Sequence, residues 1–254
     1  MTAGYVRVSP GWLALREPAD AAARAAELVE HLPATGRWVI HDLACGTGSM
    51  GRWLTPLLRG PQHWVLHDRD PDLLEVAAAN PPPGASVEVR QSDITRLRPD
   101  DLAGATLITS SALLDLLTGD ELAGLVSLCA SCPTLLTLSV TGSVALSPAD
   151  PLDGRVAAAF NDHQRRGGLL GPDAVEAAAD EFCRLGAEVL ISPSPWRLGA
   201  PDADLAAEWF RGWVDAGCEQ EPELADAIGA YSDRRLAGPL AVTVGHADLL
   251  ALPR

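Results

Sequence analysis

Asp42 stands four residues before the first glycine of Asp42-Leu43-Ala44-Cys45-Gly46-Thr47-Gly48-Ser49-Met50-Gly51. An apolar run, Trp38-Val39-Ile40-His41, precedes this segment, and Arg52-Trp53-Leu54-Thr55 continues it in helical spacing. The pattern predicts a strand that turns through glycines into a helix. Such a turn brings bare backbone N–H groups, and the positive end of a helix, up to a ligand. Gly46, Gly48 and Gly51 also satisfy G-x-G-x-x-G, the spacing of a dinucleotide turn. Nicotinamide-binding strands usually run apolar up to the first glycine. Here Asp42 interrupts the run and places a carboxylate where a cationic group would be welcome.

Two more acids follow later apolar runs. His63-Trp64-Val65-Leu66-His67 ends at Asp68, and the alternating Val87-Glu88-Val89-Arg90-Gln91 is followed by Ser92-Asp93. A carboxylate can accept two hydrogen bonds from a diol, so Asp68 suits the ribose of a nucleoside, a nicotinamide ribose included. Acids at the ends of successive strands lie on the carboxyl edge, where open α/β sheets bind ligands. Asp70 precedes Pro71 and reads instead as a helix cap.

These residues resemble the class I S-adenosylmethionine-dependent methyltransferases of small-molecule type. The family's first motif, acid-x-(Gly/Ala)-x-Gly-x-Gly, is matched by Asp42, Ala44, Gly46 and Gly48. The resemblance covers residues 12–140 well and the remainder in outline. It implies S-adenosylmethionine as cofactor, with Asp42, Ala44, Cys45, Gly46 and Gly48 in the glycine segment against it. It implies Asp68 and Arg69 at the ribose, and Asp93 and Ile94 at the adenine. Ser110 would lie at the fourth strand's edge beside the sulfonium. An arginine from an N-terminal helix would hold the cofactor carboxylate, Arg16 first and Arg24 second; a solvated surface charge is the competing reading of each. The family's amide and nucleobase methyltransferases carry an Asn-Pro-Pro-Tyr-type sequence where this chain has Ser110-Ser111-Ala112-Leu113-Leu114-Asp115, which argues against such acceptors.

The elements that must position these groups alternate. Helices are expected over 18–32 and 49–59, from Pro71, from the capping box Thr118-Gly119-Asp120-Glu121 towards Cys129, and over 173–185, 205–214 and 223–237. Strands are expected at 38–44, 63–67, 87–91, 105–109, 134–140, 187–191 and 241–244. Alternation of this kind predicts a parallel sheet covered on both faces. The resemblance adds the fold class: α/β, three layers, Rossmann-like, seven strands mostly parallel with an antiparallel last strand. One domain is expected over 1–254, with an N-terminal helical segment at 1–35 and a cap insertion at 142–171. An acceptor pocket is expected between the cap, the edge at Ser110–Asp115 and the segment Tyr5–Trp12. His163, in the cap, and Asp115 are the candidate catalytic groups, able to take a proton from an acceptor hydroxyl; a hydrogen bond within the cap is the competing reading of His163. Trp209, Phe210 and Trp213 have the spacing of one helix face and read as core.

The formal charge is −15, and all 19 basic residues are arginine. So negative a surface disfavours nucleic acid as partner, and a small-molecule substrate is expected. Residues 122–149 are uncharged, but Pro133 and several Gly, Ser and Thr within them argue against a membrane span. The first twenty residues lack an apolar leader, and five cysteines form no even framework. Cys129 and Cys132 make a lone C-x-x-C without a second pair, so no metal is expected, and free thiols suit a reducing cytoplasm. A homodimer is allowed for. The expected activity is methyl transfer from S-adenosylmethionine to an oxygen, nitrogen or carbon of a small molecule. The alternatives are a nicotinamide-dependent Rossmann reductase and a cofactor-binding protein without transfer activity. The chain has no Tyr-x-x-x-Lys pair and no lysine at all, which counts against the reductase.

Overall fold

Adjacent residues of one strand enter opposite cores, which is why the strands read as near-continuous apolar runs. The computed structural model describes residues 8–238 and 240–254. On β1 (Trp38–Leu43), Ile40 packs with Met50, Leu54, Trp64 and Leu250, while Leu43 joins Ile108, Val126 and Phe182. The same split separates Leu107 from Ile108 on β4 (Leu107–Ser111), Leu135 from Leu136 on β5 (Thr134–Ser147), and Leu249 from Leu250 on β8 (Ala241–Leu252). With β2 (Gln62–Asp68), β3 (Ser86–Gln91) and β6 (Glu188–Pro193), the strands lie in the order β3-β2-β1-β4-β5-β8-β6. The first five are parallel to one another, and β8 runs antiparallel between β5 and β6. This is the expected sheet. A further strand, β7 (Trp196–Leu198), pairs with β8 and was not foreseen.

Helices α2 (Ser49–Leu54) and α3 (Pro71–Ala79) cover one face, and α4 (Gly119–Cys129) and α6 (Ala174–Arg184) the other. The Thr118–Glu121 capping box forms at the start of α4 and contributes about 1 kcal/mol. Cys129 and Cys132 are buried and unbridged. No helix of the described residues is long and apolar enough to cross a membrane.

Three boundaries differ from expectation. The first helix, α1 (Pro10–Ala23), starts earlier, capped by Ser9, and a 3-10 turn (Ala26–His31) follows it. The helix after the glycines stops at Leu54 and finishes as a 3-10 turn, Thr55–Leu57, because Pro56 has no N–H to continue it. β5 does not end at Val140 but runs on to Ser147, and α5 (Asp153–Gln164) fills the middle of the expected insertion. The second half of β5 alternates between half-buried and exposed residues, a true strand pattern that its Ser, Thr and Gly content obscured. Gly142, at φ 74°, sits where this strand crosses α5; a Cβ there would meet Asn161 Nδ2 and Pro172 Cβ, each at 2.9 Å.

The prolonged halves of β5 and β8, together with β7, carry a second core beyond the carboxyl edge. It is closed by α5, α7 (Ala203–Gln220) and α8 (Ala225–Leu236), with Trp196, Phe210, Trp213 and Tyr231 buried at its centre. Trp12, Ala19 and Ala23 of α1 pack against the same core, so the N-terminal helix bridges it to the sheet. Tyr5, expected in the acceptor wall, lies outside the described residues, as does the start of the segment 1–35.

Candidate active site

The turn after β1 is built by backbone conformations that favour glycine: φ is 56° at Gly46 and 82° at Gly48. Ala44 shares the left-handed region at 53°. The turn is fixed from below, since Cys45 N donates to His67 O at 2.9 Å and Gly46 N to Asp68 Oδ2 at 2.9 Å. Arg52 holds its far side, donating to Thr47 O at 2.7 Å while gripping both oxygens of Glu17 on α1. Helix α1 therefore lies over the turn, and Leu13 Cδ1 is 3.1 Å from where a Cβ on Gly46 would stand. Burial drives the Cys45 thiol well above its ordinary value, which removes it as a nucleophile.

Each strand-end acid has a different environment. Asp42 is fully buried; Oδ1 accepts from the Thr109 hydroxyl at 2.8 Å, and Oδ2 has no partner. Burial pushes it up to about 7, against the pull of the Thr109 bond and of Arg24. Asp68 spends one oxygen on Gly46 N and the other on Asp70 N, at 2.9 Å each. A carboxylate has roughly four acceptor sites, so Asp68 can still receive a diol. Asp70 accepts from Asp72 N at 3.0 Å and caps α3, as its proline neighbour predicted. Asp93 bonds Thr95 through N and Oγ1, which holds its carboxyl below the ordinary range and shapes the 3-10 turn that begins at Ile94. Arg69 is exposed beside Asp68, and its carbonyl accepts from Gln91.

The two arginines separate clearly. Arg16 is bound by Asp20 through two hydrogen bonds of 2.9 and 3.1 Å, and its guanidinium lies 4.9 Å over the Trp196 ring. Arg24 follows the end of α1 and turns inward, 5% exposed, to the hydroxyls of Ser111 at 3.1 Å, Ser49 at 3.3 Å and Thr137 at 3.4 Å. Its Nη1 is buried without a partner. Burial lowers its pKa, and Asp20, Asp248 and Asp42 oppose that. Arg24, not Arg16, is thus the buried cation with an open donor. Ser110, expected at the cofactor, donates its hydroxyl to Leu43 O at 2.7 Å and ties β4 to β1, while the next hydroxyl, Ser111, faces Arg24. Ser49, Ser111 and Thr137 were not singled out in the sequence. Their signal was position alone: the first residue of α2, the last residue of β4, and the residue of β5 that pairs with it.

Asp115 lies on a 3-10 turn (Leu114–Leu116) after β4, half-buried; burial raises its pKa, and a backbone hydrogen bond and then the Arg16 charge partly offset this. His163 sits in the last turn of α5 and pairs with Glu219 of α7 at 3.0 Å, in a seam that Arg166 also joins. The structure places Asp42, Gly46, Gly48, Asp68 and Arg24 around the glycine turn, with Asp68 bonded to Gly46 and Arg24 to Ser49 next to Gly48. His163 is not among them.

The residues present fit S-adenosylmethionine. Its amino-acid end is a zwitterion, and two orphaned buried atoms of opposite preference, Asp42 Oδ2 and Arg24 Nη1, lie beside the glycine turn within electrostatic reach of each other. Its nucleoside end requires acceptors, which Asp68 and Asp93 offer at the next two strand ends.

Residues 40–132, which hold the glycine turn and all three acids, match the family model described as a methyltransferase domain. The fold is similar to that of a mycolic acid cyclopropane synthase solved with SAH (S-adenosylhomocysteine) and CTAB, at 13% identity over 89% of this chain and 82% of that one, with a TM-score of 0.51. It is also similar to a magnesium protoporphyrin IX methyltransferase from Synechocystis PCC 6803 with bound SAH, at 12% identity over 99% and 90% of the two chains, with a TM-score of 0.50. No curated protein matches the sequence.

Proposed function

We propose that this chain is a class I S-adenosylmethionine-dependent methyltransferase, a reading its matched domain and its sheet support, and that it transfers the methyl group to an oxygen, nitrogen or carbon of a small molecule. The observation that carries the cofactor assignment is the pair of orphaned atoms, Asp42 Oδ2 and Arg24 Nη1, under the glycine turn. A nicotinamide dinucleotide has no ammonium for Asp42 and no carboxylate for Arg24.

S-adenosylmethionine bound there supplies an electrophilic methyl group. Asp42 and Arg24 would orient its amino-acid end, Asp68 the ribose and Asp93 the adenine. The chain's task is then alignment of an acceptor and exclusion of water. Helix α1, held to the turn by Glu17–Arg52 and to β7 by the Trp196 Nε1 to Asp20 bond of 2.9 Å, walls the site from one side. Where the acceptor must lose a proton, Asp115 is the first candidate, because it stands just past the carboxyl end of β4 with a raised pKa. His163 is the second; it would have to leave Glu219. A small acceptor is supported by the charge of −15, and the free thiols fit a reducing cytoplasm.

The test is transfer of a radiolabelled methyl group from S-adenosylmethionine to panels of small phenols, carboxylates, amines and activated carbons, with bulk protein and nucleic acid in parallel. Label in one small-molecule class is expected. Label only in protein or nucleic acid would overturn the small-molecule assignment.

A further inference from the structure

Each strand-end acid has a polar neighbour immediately before it: His41 before Asp42, His67 before Asp68, Ser92 before Asp93. On a strand, successive side chains face opposite sides, so the two histidines lie on the face away from Asp42 and Asp68. There the three residues form a row. His41 Nδ1 is 3.0 Å from His67 Nε2, with the rings stacked 5.2 Å apart, and His67 Nδ1 is 3.0 Å from Ser92 Oγ. Ser92 Oγ is 3.4 Å from Arg90 O, and Ser92 N donates to Asp68 O at 2.8 Å.

The row has a direction. A carbonyl only accepts, so the Ser92 hydroxyl donates to Arg90 O and accepts from His67 Nδ1–H. His67 Nε2 is then a lone pair, and His41 Nδ1–H donates to it. His67 must be neutral, since a proton on its Nε2 would face the His41 N–H directly, and burial keeps His41 neutral as well. Both histidines are at most 2% exposed, and each is held down to about 4, by burial first and then by the other ring for His41 and by Arg90 for His67. The charged or titratable groups acting on them are Arg90 and Glu88 of β3, His63 of β2 and Asp101 of the turn Pro99–Leu102; Arg90 is itself engaged by Glu88 and by Asp101 O. No step assigned to the site uses either histidine.

We propose that the row His41–His67–Ser92 is a positioning device for the cofactor site, fixing the ends of β1, β2 and β3 relative to one another so that Asp42, Asp68 and Asp93 converge on one ligand. It rests on the cofactor assignment above and adds residues that touch no ligand. The nucleoside acids Asp68 and Asp93 flank the His67–Ser92 bond, so the effect falls on the nucleoside half.

The experiment is calorimetric titration of S-adenosylhomocysteine and of 5′-methylthioadenosine into wild type, Ser92→Ala, Ser92→Thr and His67→Gln, with the melting temperature of each. Ser92→Ala should lose about tenfold in affinity for both ligands, because the ends of β2 and β3, and with them Asp68 and Asp93, are no longer held together by the His67–Ser92 bond. Ser92→Thr, which keeps the hydroxyl, should return to within about threefold of wild type, and His67→Gln should fall between. A Ser92→Ala protein that melts lower but binds both ligands like wild type would reduce the row to a structural role and overturn the proposal. If wild type binds neither ligand, the cofactor assignment and this inference fall together.

Discussion

Asp68 Oδ2 accepts the backbone N–H of Gly46 at 2.9 Å, so the residue that ends β2 also holds the glycine turn that follows β1. One carboxylate therefore serves two purposes, shaping the turn and offering lone pairs to a ribose. Replacing Asp68 removes both at once. Asp68→Ala should weaken S-adenosylhomocysteine binding by at least ~1.5–3 kcal/mol, the range for hydrogen bonds to a charged group. Asp70→Ala should leave affinity nearly unchanged and cost about 1 kcal/mol of stability as a lost helix cap. Calorimetry and melting curves on both variants check this, and the reverse order would reassign the ribose ligand.

Arg24 and Arg16 give a second contrast. Arg24→Met should cost ~1.5–3 kcal/mol of affinity for S-adenosylhomocysteine and almost none for 5′-methylthioadenosine, which lacks the amino-acid end. Arg16→Met should do little to either ligand, since its charge is already bound by Asp20. Equal losses for both ligands in Arg24→Met would point to damage to the turn instead of a lost carboxylate contact.

The places of Asp42 and Asp68 were legible in the sequence because each ends a buried, largely apolar strand, and that of Asp93 because it follows an alternating one. Arg16 was preferred over Arg24 although its pairing was visible: Asp20 is its i+4 neighbour, the spacing of a helical ion pair. Arg24 gave no such hint, because its direction is set by the chain leaving α1 at ψ 136°. The second half of β5 and helix α5 were missed for a related reason. The Thr, Ser and Gly of the strand, and the Pro and Gly in and around the helix, read as loop, and pairing with β8 and packing on α7 make them regular. The row His41–His67–Ser92 needed no long-range information beyond strand order. One residue before each acid faces the other way, and that was open to inspection.

Acid should destabilise the protein through its buried histidines. His246 is 6% exposed, and burial followed by Arg16 holds it down to about 4 from 6.5, so the unfolded chain binds its proton first. Stability from this group is complete above pH 6.5 and is lost as the pH falls towards 4. Asp42 works in the opposite sense: raised from 3.8 to about 7, it contributes stability at low pH that is lost as the pH rises through 7. The two can be separated by difference. Between pH 7 and 5.5, His246→Asn should lose about 1.2 kcal/mol less stability than wild type, because the carboxyl contributions cancel. Urea midpoints at the two pH values measure it, and parallel losses would mean that His246 is protonated in the fold.

Proton removal from an acceptor distinguishes Asp115 from His163. With an oxygen acceptor in hand, Asp115→Asn should lower kcat by ~100-fold or more if it takes the proton, with cofactor affinity unchanged. His163→Ala should lower kcat less than about threefold and loosen the α5–α7 seam. A large loss for His163→Ala alone would exchange the two roles. Small losses for both would leave alignment as the whole of catalysis.

The central claim is that the glycine turn and its acids hold S-adenosylmethionine. Calorimetric titration of wild type with S-adenosylhomocysteine and with NADH, repeated on Arg24→Met, tests it most directly. S-adenosylhomocysteine should bind with one-to-one stoichiometry and raise stability by ~2.7 kcal/mol at a hundredfold excess over Kd. NADH should not bind, and Arg24→Met should weaken only the former. Binding of NADH with no response to S-adenosylhomocysteine would contradict the account.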